Sequence, residues 1–242
     1  MAKVVKSNIV NKEILELSIE HDEIYDGKIP LLYNHFKEGE SQLLFIGLNP
    51  SFSDNIFSSF KSTNKDFESP WSNKNEYDIF FNSRKIESED ILKIIEIHEN
   101  SIEHYPYFNK FKEIEKETKK KFTHIDLFHC RRTSQKKFID DLLKYEKRND
   151  YIKKSIKILE VLIKQISPKI IIIENTATRD FLIKYASFPD INSLDKESGT
   201  PKKDGIPIFY TSMLTGQRAL DLGSYHRLIW HIKHCLTLLD IK

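Results

Sequence analysis

Apolar residues along this chain fall into two rhythms. Four short runs are dense in them: Gln42–Leu48, Phe122–Phe128, Lys169–Ile173 and Ile206–Ser212. Runs of this length read as strands, and the first and third are so continuous that they suit strands buried on both faces. Elsewhere apolar residues recur near the helical period. Ser101–Thr118 lines up Ile102, Tyr105, Phe108, Phe111 and Ile114 on one stripe. Ser134 starts a second helix with Phe138, Leu142 and Leu143 on one face. Tyr151–Ile166 carries Ile152, Ile156, Leu159 and Ile163, with Pro168 as its stop signal. Thr176–Tyr185, capped by Asn175, and Tyr225–Leu239 complete the set.

Strands separated by helices imply right-handed crossovers and a parallel sheet with helices on both faces. The expectation is therefore an α/β fold, read as a single domain over residues 1–242. Residues 1–40 form its peripheral helical N-terminal segment. Residues 50–84, rich in Asn, Ser, Phe and Lys, form an insertion or flap. Phe188–Gly205 is polar and reads as a surface loop. In such sheets ligands bind beyond the carboxyl ends of the strands, where strand order reverses. The segments that follow each strand are thus the place to look for chemistry.

Composition narrows the class. The 242 residues are 39% hydrophobic and 31% charged, as in a globular chain with ample core. A formal net charge of +2 argues neither for nor against a nucleic-acid partner. Two cysteines, Cys130 and Cys235, are too few for a four-thiolate cluster and fit a reducing compartment. The N-terminal residues lack the apolar core of a signal peptide, and no stretch approaches the roughly 20 apolar residues of a membrane span. A cytoplasmic location is expected.

Four exits hold candidate residues. After the first strand come Gly47-Leu48-Asn49-Pro50-Ser51. Asn49 either presents its amide to a ligand or a water, or satisfies a tight turn. After the second strand, Asp126 closes an apolar run, and Arg131, Arg132, Lys136 and Lys137 form the densest basic group. That group either meets phosphates or is a solvated face in which Asp126 pairs with an arginine. After the third, Asn175 is favoured as a helix cap. After the fourth, a polar loop runs through Leu214, Gln217 and Arg218 toward His226 and Arg227. Gln217, Arg218 and Arg227 could touch phosphates, and His226 is either an acid or stabiliser or a structural histidine.

The segment Leu44-Phe45-Ile46-Gly47-Leu48-Asn49-Pro50-Ser51 resembles the first motif of the uracil-DNA glycosylase superfamily. It is closest to the mismatch-specific and single-strand-selective branches, which carry Gly-x-Asn-Pro. Ile125–Arg131 resembles the superfamily's second strand and its exit. The order of elements agrees from about Gln42 onward.

The resemblance implies a three-layer α/β/α sandwich around a short four-stranded parallel sheet, and base flipping into a pocket. It implies hydrolysis of the N-glycosidic bond with no metal or cofactor. Asn49 would position the water and His226 would be the second catalytic candidate. Gly47, Leu48, Pro50, Ser51, Phe52 and Asp126 would hold the base, with Phe52 stacking on it. Arg131, Arg132, Gln217 and Arg218 would meet DNA, and Leu214 would fill the gap a flipped base leaves. The chain departs from the family at two motifs. Asp126 stands where an Asn commonly reads uracil, so a base with an exocyclic amine is expected. Ser212-Met213-Leu214 stands where a His-Pro-Ser motif usually starts.

The expected partner is DNA, single- or double-stranded, holding a damaged or modified base, and the expected state is a monomer. A non-catalytic nucleic-acid- or nucleotide-binding module on the same fold is the alternative reading. A small-molecule hydrolase using the same pocket is a third. Salt-dependent DNA binding and base release separate the three.

Overall fold

The computed structural model of the protein describes residues 9–51, 88–216 and 219–240. They divide into two compact units. One lies within Met1–His35, Asn49–Pro106 and Phe128–Ile158, the other within Phe36–Leu48, Tyr107–Leu127 and Leu159–Lys242.

The second unit holds the sheet. Strands β1 (Leu43–Gly47), β2 (Phe122–Asp126), β3 (Ile170–Ile173), β4 (Lys202–Lys203) and β5 (Ile206–Tyr210) are arranged in the order β2-β1-β3-β5-β4. β1, β2, β3 and β5 pair in parallel, and only β4 runs antiparallel, against β5. The sheet thus has five strands rather than the four expected. The extra strand comes from the segment read as a loop. Its signal is the dipeptide Asp204-Gly205, with φ of 53° and 82°. Two successive left-handed residues make the tight turn whose twist suits a hairpin.

The continuous apolar runs behave as expected: every residue of β1 and of β3 is buried. From β1 the chain moves to β2 on one side and then to β3 on the other. The order therefore reverses at β1, and the carboxyl ends of β1 and β3 flank the reversal. Helices α4 (Asn109–Thr118) and α8 (Leu222–Asp240) pack against each other in this unit, and α7 (Thr176–Tyr185) follows β3. Asn175 caps α7 by accepting from Ala177 N at 2.8 Å, as its position predicts.

The first unit holds α1 (Ile9–Glu20), α2 (Asp22–Tyr25), α3 (Ser88–His104) and α5 (Gln135–Lys144). The longer helix α6 (Arg148–Ile166) contributes its start to this unit and its end to the other. α1 and α2 lie in the N-terminal segment and bury Val10, Ile14, Leu17, Ile24 and Tyr25. Ser134 caps α5, accepting from Lys137 N. The helix expected over Ser101–Thr118 is instead broken. α3 ends at His104, Pro106–Phe108 form a 3-10 turn, and α4 begins at Asn109. Pro106 supplies no N–H and drives Tyr105 away from helical dihedrals, which a 3.6-residue stripe does not reveal. Both cysteines are buried and neither is in a disulfide, and no helix among the described residues is long and apolar enough to cross a membrane.

Candidate active site

Gly47, Asp126 and Glu174 meet at the carboxyl ends of adjacent strands of the second unit. Gly47 pairs with Asp126 across the β1–β2 ladder. Ile46 pairs with Ile173, so Glu174, the next residue, comes level with Gly47 from the other side, its N–H donating to Ile46 O at 3.3 Å. His124 lies two residues before Asp126 and so shares its face of β2. The three side chains close over Gly47. A methyl group added there would overlap Asp126 Oδ1 and stand 3.2 Å from His124 Nε2 and 3.3 Å from Glu174 Oε1. Only glycine leaves room for the cluster.

Glu174 Oε1 is the hub. It lies 2.8 Å from His124 Nε2 and accepts from Tyr107 OH at 3.1 Å. His124 Nδ1 faces Asp126 Oδ2 at 4.0 Å. The rings of Phe108 and Phe111 flank the imidazole at 5.4 and 5.6 Å. His124 Nδ1 and Glu174 Oε2 have no hydrogen-bond partner.

Two carboxylates and one imidazole out of water share protons. Burial pushes the Asp126 carboxyl up to about 7, and the charge of Glu174 adds to the shift while His124 opposes it. Burial disfavours the charged form of His124, but Asp126 and Glu174 outweigh it and raise its pKa. At neutral pH Asp126 thus exists as both carboxyl and carboxylate. A group that takes and gives a proton near neutrality suits acid–base chemistry, and its carboxyl form is a donor as well as an acceptor.

Asn49 belongs to the first unit. Its Nδ2 donates to Arg132 O at 2.7 Å and to Pro50 O at 3.4 Å. Two carbonyl acceptors fix which end of the amide is nitrogen. Arg132 N–H in turn donates to Pro50 O at 3.1 Å, tying the two loops together. Asn49 is 7% exposed, and its Oδ1 has no hydrogen-bond partner. An oriented, buried amide oxygen with no partner is an acceptor whose hydrogen-bonding capacity is unmet.

The other expected residues separate. Leu48 is buried, Pro50 half-buried and Ser51 exposed. Arg132 is engaged within its own unit: it pairs with Asp26 at 3.0 Å and donates to Ile24 O and Glu23 O. Arg131 is buried. Leu214, expected as a wedge, is 3% exposed and sits in the core. His226 is exposed near the start of α8, its ring beside Tyr225. Phe52, Gln217 and Arg218 lie outside the described residues. Sequence reasoning passed over His124, Glu174 and Tyr107. One signal was present, since His124 and Asp126 at i and i+2 in a strand share a face. Nothing in the sequence links Tyr107 to Glu174.

The chain matches no protein-family model, and no curated protein matches it.

Proposed function

We propose that this protein is a hydrolase of the N-glycosidic bond between a base and its sugar. It would act on a damaged or modified base swung out of DNA, as a divergent member of the uracil-DNA glycosylase superfamily. The observation that carries the reading is the Asn49 amide, whose nitrogen is tethered by two carbonyls and whose oxygen is left unpaired. In this reaction the base leaves with the bonding pair, the sugar passes through an oxocarbenium-like state, and a water oxygen joins the sugar carbon. The water's proton ends on the departing base. An amide is not a strong base, so Asn49 contributes orientation and a fixed dipole toward the attacking water.

A three-layer α/β/α sandwich fits this reading. The crossovers from β1 to β2 and from β2 to β3 run in opposite directions across the sheet. Right-handed connections of opposite direction put their helices on opposite faces. A monomer acting in the cytoplasm fits as well.

A second reading, hydrolysis of the same bond in a free nucleoside or nucleotide, is favoured by two observations. Leu214 is buried where a DNA wedge must protrude, and Arg132 is committed to Asp26 rather than free for phosphate.

Base release from a panel of oligonucleotides, nucleosides and nucleotides tests both. The panel holds uracil, mismatched thymine, hypoxanthine and modified cytosines, with Asn49→Ala as control. Release from oligonucleotides that vanishes in Asn49→Ala supports the first reading. Release from monomers alone supports the second. No release from any substrate by the folded protein overturns both and leaves a non-catalytic binding module on this fold.

A further inference from the structure

We propose that Glu20, His21 and Asp150 form a binding site for a divalent transition-metal ion, with zinc the best match to its ligands. The inference is independent of the glycosidic-bond reading and concerns the first unit alone. Among the described residues this is the one trio of His, Cys, Asp or Glu side chains whose ligand atoms all lie within 4.8 Å of one another. Glu20 closes α1, His21 follows it, and Asp150 stands in the first turn of α6.

The imidazole is what makes the trio more than an acidic surface. The His21 side chain is 0% exposed, and its Nε2 pairs with Asp150 without a well-formed hydrogen bond. That nitrogen points into the trio, 3.2 Å from Asp150 Oδ2. Two ligands each about 2.0–2.1 Å from a tetrahedral zinc stand roughly 3.3 Å apart. The observed separation is therefore that of one edge of such a site. The other ring nitrogen lies 3.1 Å from Tyr145 OH, which fixes the ring from behind in the way outer-shell partners orient metal-bound histidines.

The local charge also favours a cation. A cation already answers the carboxylates: Lys154 Nζ lies 2.6 and 2.7 Å from the two Glu20 oxygens and 2.9 Å from Asp150 Oδ2. The lysine is a built-in competitor that the metal displaces. One imidazole with two carboxylates selects first-row transition ions over calcium and magnesium, which take oxygen ligands. Three protein ligands leave the fourth position to water.

The test is calorimetric titration of the full chain with zinc chloride in a non-chelating buffer, with thermal unfolding alongside. Wild type is compared with Glu20→Gln, His21→Gln and Lys154→Met. The expected result is one saturable zinc equivalent that raises the melting temperature. Affinity should fall at least roughly tenfold in Glu20→Gln, an exposed position, and in His21→Gln. It should rise in Lys154→Met. Cobalt should give a tetrahedral visible spectrum, while calcium and magnesium should not compete. Absence of saturable zinc binding in both wild type and Lys154→Met overturns the proposal. So does zinc binding of equal strength in Glu20→Gln, which would assign the metal to other surface histidines.

Discussion

His124 Nε2 and Glu174 Oε1 lie 2.8 Å apart, with both side chains buried. The contact joins β2 to the exit of β3 across β1, and Tyr107 OH donates to the same oxygen. Since the Glu174 carboxylate helps hold the proton on His124, Glu174→Gln should lower the titration midpoint of the His124 ring. Imidazole NMR signals followed against pH check this. A midpoint equal to wild type would leave Asp126 as the sole source of the shift. Tyr107→Phe, which removes one hydrogen bond and little volume, should cost about 1 kcal/mol.

Gly47→Ala should destabilise the protein by about 1–3 kcal/mol, because the new methyl meets Asp126 Oδ1 and neither the strand nor the buried carboxylate can move freely. Adding Asp126→Ala should recover most of that loss. Urea unfolding of the single and double variants measures both. If Gly47→Ala is as stable as wild type, the cluster does not close over the strand as described.

Two buried groups set opposing pH dependences. Asp126 keeps its proton in the folded protein up to about pH 7, against an ordinary value of 3.8. Its contribution to stability is full below about pH 4 and is lost as pH rises through 7. His129, which burial pushes down to about 3 from 6.5, stays neutral where the unfolded chain would bind a proton. Its contribution is full above pH 6.5 and is lost as pH falls toward 3. Each is on the order of 4 kcal/mol. Between about pH 4 and 6.5 the two act in opposite directions. Asp126→Asn should uncover a stability that rises with pH, and His129→Gln one that falls. Denaturation at a series of pH values reads the slopes, and slopes of the same sign in both variants would refute the assignment.

Asn49→Asp keeps the size of the side chain but sets a carboxylate oxygen against the carbonyls of Arg132 and Pro50. It should cost about 1–3 kcal/mol and abolish base release. Asn49→Ala should abolish release at a smaller cost, since it leaves no repulsive contact. Melting temperatures and the release assay together separate loss of fold from loss of chemistry.

What the sequence determined by itself is local. Apolar runs fixed the strands because a strand covered on both faces needs apolar residues throughout. Ser134 and Asn175 announced their helices because a free N–H at a helix start needs a nearby oxygen. Gly47 and Asn49 stood out because they follow a buried strand. The break at Pro106 and the Asp204-Gly205 turn were equally local; a helical apolar stripe masked the first, and the polar residues of its segment masked the second. Tertiary structure alone decided which strands became neighbours. Inserting β1 between β2 and β3 is what sets Glu174 beside His124 and both over Gly47. No local preference encodes strand order, which follows from how the whole chain buries its apolar surface. The same holds for Glu20, His21 and Asp150, brought together by the packing of helices distant in the chain.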